Sequence, residues 1–120
     1  MTDYRAQLQK QRDCYPFKRW QARGLERYTS ETCDAFAAVM DGLLEDLEVL
    51  GLAAPEAMKL KALEKAVRAL NDLNRVGDSL IETGEREALC DLFYLIAIAA
   101  GLDPTAYGGG EGPASEWREW

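Results

Sequence analysis

Residues 29–51 read TSETCDAFAAVMDGLLEDLEVLG. Within this stretch Cys33, Phe36, Met40, Leu43, Leu47 and Leu50 recur at spacings of three and four, which places them in one apolar stripe on a helix. Thr29 or Ser30 suits the N-cap, where a side-chain oxygen accepts a hydrogen bond from an otherwise unpaired N–H of the first turn. Gly51 suits the position just past the helix, where the chain turns left-handed. Asp34, Asp41, Glu45 and Glu48 fall on the opposite face. The segment therefore reads as one long amphipathic helix with an acidic back.

The pattern extends C-terminally. Pro55 opens a second long helix, because proline fits the first helical position, and Gly77 closes it after about Val76. Leu60, Leu63, Val67 and Leu70 form its stripe, with Lys61, Lys65, Arg68 and Arg75 on the far side. A connection of about four residues makes the two helices antiparallel neighbours. A third long helix begins after Thr83 or Gly84 and ends before Gly101. Its inner face is Leu89, Leu92, Phe93, Ile96 and Ala100. Its other side begins with Glu87 and Asp91 and changes to Tyr94 and Ile98, so a cover is expected there. The N-terminal arm, the C-terminal tail and a second copy of the chain are the candidates.

At the N-terminus, residues 2–13 read as a short helix capped by Thr2 or Asp3, interrupted at Pro16. Tyr15 is pushed from helical dihedrals by the proline after it. Residues 14–28 read as an irregular or partly helical arm. The tail turns at Asp103-Pro104, continues through a flexible Gly108-Gly109-Gly110 link, and ends in an aromatic anchor, Trp117 and Trp120. The predicted fold is all-α: a compact up-and-down helical bundle of three long helices plus a short N-terminal helix or arm. Its parts are a basic arm over 1–28, a helical core over 29–101 and a flexible tail over 102–120.

Composition narrows the function. With 120 residues, 48% hydrophobic and 29% charged, the chain suits one globular domain. The start lacks an apolar leader core, and the run Leu92 to Leu102 is too short to span a bilayer, so a cytoplasmic setting without membrane contact is expected. Cys14, Cys33 and Cys90 are too few and too scattered for a disulfide framework or a zinc site. There is no histidine, which excludes histidine-based relays, triads and metal ligation. No cofactor or metal is expected. Glu45 with Glu48, and Glu82 with Glu85, keep the spacing of magnesium-binding carboxylate pairs in all-helical nucleotide pyrophosphatases. The first pair faces away from the apolar stripe, and the second lies partly in a loop.

The net charge of −7 is segregated. Residues 1–27 hold seven basic and three acidic side chains, whereas residues 28–58 hold seven acidic and no basic ones. Lys18, Arg19, Arg23 and Arg27 interleave with Tyr15, Phe17, Trp20 and Tyr28, a pattern that can bind single strands by charge and stacking. The acidic balance of the rest disfavours nucleic acid as partner. Packing of these aromatics on the bundle is the plainer expectation.

Two groups of residues stand out as candidate sites. Asn74 points between Leu63 and Val67 in the apolar stripe, with Asn71 at its edge. A buried amide needs partners, and antiparallel packing brings the start of the third long helix close. Asn71, Asn74, Glu82, Arg86 and Glu87 are therefore expected as a polar cluster at one end of the bundle, either a structural network or a pocket. The second group is the acidic row Asp34, Asp41, Glu45 and Glu48, either a solvated face, a surface covered by the chain's own arm of Lys18, Arg19, Arg23 and Arg27, or a docking surface for a basic protein.

The segment Leu80 to Cys90, with Ala100-Gly101-Leu102-Asp103 and Trp117-Arg118-Glu119-Trp120, resembles small bacterial helical proteins to which no activity is attached. The resemblance implies a bacterial setting and a role for Glu82, Arg86 and the final tryptophans. The first functional expectation is a non-enzymatic regulatory protein, of immunity or antitoxin type, that binds a basic protein surface through the acidic row. The alternative is a small-molecule-binding protein or enzyme using the polar end. A third reading is a homodimer built on Tyr94 and Ile98.

Overall fold

A computed structural model describes residues 4–22, 28–76 and 81–120. The protein is an all-α bundle, and no strand occurs among the described residues. Helix α1 spans Tyr4–Lys10 and tightens into a 3-10 turn over Gln11–Cys14. It stops earlier than residue 13 as an α-helix because Pro16 forces Tyr15 into an extended conformation. Its proposed caps, Thr2 and Asp3, lie outside the described residues. The arm contains a helix of its own, α2, Phe17–Ala22.

The long helices are α3, Ser30–Leu50, α4, Glu56–Val76, and α5, Thr83–Ala99. The Thr29 hydroxyl accepts from the Thr32 N–H at 3.2 Å and starts α3. Gly51 ends it at φ +83°, donating to the Leu47 carbonyl. Gly101, also at φ +83°, ends α5. The end of α4 at Gly77 lies outside the described residues. Among the described residues no helix is long and apolar enough to cross a membrane.

The predicted stripes supply most of the core, joined by Leu44, while Leu50 and Leu60 are only partly buried. Phe36, Met40, Leu44, Leu47, Leu63, Val67, Leu70, Leu89, Phe93 and Ile96 are fully buried. The aromatic residues of the arm join them. Phe17 stacks on Phe36 at 5.9 Å, and Trp20 lies 4.8 Å from Tyr28, all four rings buried. Buried rings are unavailable for stacking on bases, and burial of these large side chains accounts for their presence in a basic segment.

Three long helices leave three long grooves between them. The chain fills two of them itself. Helices α1 and α2, with the turn that joins them, lie across α3, and α1 and that turn also meet α5. The tail lies against α4 and α5. It does so as 3-10 turns over Pro104–Ala106, Gly108–Gly110 and Pro113–Glu116. The glycine run thus takes a defined turn conformation in place of an open link. Gly108 sits at φ +59°, where an added Cβ would come within 2.6 Å of the Ser115 Cβ. The groove between α3 and α4 has no such cover among the described residues.

Candidate functional site

The expected polar cluster divides into separate structural contacts. Asn74 is 9% exposed, and its Oδ1 accepts the Ile81 N–H at 2.8 Å. The partner is thus a backbone group next to Glu82, at the approach to the third long helix as antiparallel packing leads one to expect. This bond ties the end of α4 to the approach to α5. Asn74→Ala leaves the buried N–H without an acceptor and is expected to cost about 1–3 kcal/mol. Urea denaturation measures that cost.

Asn71 is buried in a different role. Its Nδ2 donates to the Trp117 carbonyl and to Glu119 Oε2, both at 3.1 Å, and its Oδ1 accepts the Glu119 N–H at 3.0 Å. One amide therefore holds the tail on α4. Trp120 is 7% exposed and Trp117 half-buried, so the aromatic anchor docks on its own domain. Gly112 passes over Tyr94, where a Cβ would stand 3.2 Å from the ring. Tyr94 has its cover, whereas Ile98 remains 52% exposed and Leu95 41%.

Glu82 and Glu87 are exposed, and Glu82 is the N-cap residue of α5. Arg86 is half-buried, beside Cys90. The buried carboxylate of this region is Glu85, 5% exposed, which accepts a hydrogen bond from the Tyr28 hydroxyl at 3.2 Å. Its place in the stripe Glu85, Leu89, Leu92, Ile96 was the available signal. No cluster of acidic and thiol side chains suited to a metal ion occurs among the described residues.

A second buried polar group escaped the sequence reading. Lys59 is 4% exposed and donates from Nζ to the carbonyls of Leu52 and Ala100, each at 2.7 Å. It occupies the stripe Lys59, Leu63, Ala66, Leu70, Asn74, so its position was visible although its partners were not.

The acidic row is used in two ways. Asp41 accepts from the Tyr15 hydroxyl at 2.8 Å and lies 3.7 Å from Arg12. Glu48 pairs with Arg5 and accepts from Gln9 at 2.9 Å. The chain's own α1 and the turn after it therefore meet half of the row through Arg5 and Arg12, while Arg23 and Arg27 lie outside the described residues. Asp34 and Glu45 remain exposed.

Burial first, and then the bond to Asp41, push the Tyr15 phenol above its ordinary pKa near 10, with Arg12 opposing. The native state thus holds this proton more tightly than the unfolded chain. Its contribution to stability is complete below about pH 10 and declines as pH rises further. Urea midpoints of the wild type should fall more steeply above pH 10 than those of Tyr15→Phe. Equal slopes would remove Tyr15 from the alkaline transition.

The uncovered α3–α4 groove encloses about 470 Å³. Small residues line it: Ala38 and Gly42 from α3, Ala62, Ala66 and Ala69 from α4. Glu45 and Asp46 stand on one wall and Lys65 on the other, with Lys65 Nζ 3.4 Å from Asp46. Gly42 is the notable member. It sits mid-helix at a negative φ, and an added Cβ would meet nothing within 4 Å. Glycine there costs a helix about 1 kcal/mol relative to alanine, and packing among the described residues gives no reason for it. Comparison with protein-family models, with curated proteins and with solved structures finds no match to this chain.

Proposed function

We propose that this chain is a non-enzymatic protein-recognition module that binds through the outward face of the α3–α4 pair. Gly42 is the observation that carries the reading. A residue that weakens its own helix and accommodates nothing within the chain keeps the groove open for a body that approaches closely. Around it, Asp34 and Glu45 supply exposed negative charge for steering and selection. Asn71 and Asn74 are engaged in holding the tail and the α4–α5 connection, which gives the small-molecule reading less support.

Gly42→Ala separates recognition from folding. Stability is expected to rise by roughly 0.5–1 kcal/mol, because alanine favours the helix and meets no neighbour. Binding is expected to weaken, because the added methyl stands in the contact. Glu45→Lys should slow association, most strongly at low salt, since screening acts over about 10 Å at 0.1 M. Affinity capture followed by association kinetics with the captured protein tests both. A partner that binds Gly42→Ala and Glu45→Lys with wild-type kinetics would remove this face from recognition.

A further inference from the structure

We infer that the occupant of the α3–α4 groove is a second copy of this chain, packed face to face about a two-fold axis parallel to the helices. This rests on the reading of that face as the recognition surface and adds the identity of the partner.

The charge layout selects this arrangement. Helix α3 contains acidic residues and no basic one, and its exposed acids include Asp34 and Glu45. Helix α4 exposes Lys61, Lys65, Arg68 and Arg75 beside Glu56 and Asp72, with Arg68 paired to Glu64 and Arg75 to Asp72, so it keeps a basic surplus where α3 has acids only. A two-fold axis parallel to the helices sets α3 of one copy against α4 of the other. Acidic and basic edges then meet twice, once on each side, and every neighbouring pair in the resulting four-helix array is antiparallel. A perpendicular axis would set α3 against α3, which repels. The Lys65–Asp46 contact within one chain fixes the level of the two helices. At that level Glu45 lies across from Lys65 and Arg68 of the other copy, and Gly42 lies across from Ala69. Small residues facing small residues allow the helices to approach closely.

Three of the exposed apolar residues, Val49, Met58 and Val76, lie on the same face. Val49, seven residues beyond Gly42, is 87% exposed. Met58 and Val76, 48% and 88% exposed, lie on the edge of α4 that carries Ala62, Lys65 and Ala69. A surface two helices wide and 21 residues long is about 30 Å by 20 Å, or about 1,200 Å² over both copies. That is the lower bound of stable interfaces, so a concentration-dependent dimer is expected.

Sedimentation velocity of the full chain over a concentration series tests this. The wild type should pass from monomer to dimer. Gly42→Trp should stay monomeric, its dissociation constant raised at least about 100-fold, with an unchanged helical circular dichroism spectrum. Glu45→Lys alone, and Lys65→Glu with Arg68→Glu alone, should each weaken the dimer about tenfold or more. Mixing these two reversed chains should restore association as a heterodimer, because both cross-contacts are then attractive. Weakening by each reversal alone, followed by that rescue, selects the stated arrangement; in a dimer with α3 against α3 the single reversals would not remove an attractive contact. A wild type monomeric throughout, or reversed chains that fail to pair, overturns the proposal. If that monomer binds a different protein that Gly42→Trp no longer binds, the recognition reading stands without the second copy. A dimer indifferent to Gly42→Trp overturns the proposal.

Discussion

Substituting Lys59 by methionine is expected to destabilise the protein by about 2–4 kcal/mol. The ammonium is buried and closes two helix ends at once. Leu52, whose carbonyl it binds, lies just beyond the C-terminus of α3, and Ala100 is the C-cap residue of α5. Helix C-termini present unpaired carbonyls and the negative end of the macrodipole, so a cation there is favoured by both. The Tyr4 ring, with its centroid 5.8 Å from Nζ, adds a third favourable contact. Methionine keeps the unbranched stem and removes only the donors, leaving both carbonyls short of a partner. Lys59→Arg should recover only part of the loss, since a planar guanidinium does not present its donors as the compact ammonium does between two converging carbonyls. Urea denaturation at neutral pH gives the numbers. A loss below about 0.5 kcal/mol would mean that water replaces the ammonium without penalty.

Truncating Trp120 to alanine should cost as much or more, about 3–5 kcal/mol if the tail stays in place. The indole is buried, with the Arg118 guanidinium 5.9 Å from its ring, and its neighbour Glu119 is gripped by Asn71. The tail has a second way to respond, by leaving the surface locally, which caps the loss of global stability at the energy of docking. Cys90 reports on that choice. Its thiol is half-buried and pushed up in pKa by burial, partly offset by Arg118 of the tail. In a background where the exposed Cys14 is serine, thiol labelling of Cys90 should speed up about tenfold or more in Trp120→Ala. Unchanged labelling with a full loss of global stability would show that the tail does not open on its own.

The long helices were legible because their signals are local. Thr29, Gly51 and Pro55 mark ends by backbone chemistry that acts within a turn, and the stripes have a period that depends on no distant residue. The polar partners were not legible for the opposite reason. Asn71 reads as an edge residue until the tail, 46 positions later, is placed on it. Lys59 on an apolar stripe looks like an interruption until Ala100, 41 positions away, supplies a carbonyl. For the acidic row, cover by the chain's own N-terminal segment was legible as one possibility, but not that Arg5, Gln9, Arg12 and Tyr15 would meet Asp41 and Glu48. Gly42 carried no signal at all in sequence, since a helical glycine becomes informative only once the space above its Cα is known to be empty.

The way the termini fill the grooves also bears on how the chain folds. Helices α3 and α4 form a hairpin from contiguous residues, so its contacts close short loops and can form early. Helix α1 and the tail attach through pairings such as Tyr4 with Leu47 and Asn71 with Glu119, 43 and 48 positions apart. Those contacts have no template until the hairpin exists. Native-state hydrogen exchange should therefore rank the amides of α3 and α4 as the slowest, with α1 and the tail opening in smaller excursions. Mutations at the α3–α4 contact should slow refolding, whereas those at Asn71 and Trp120 should mainly hasten unfolding.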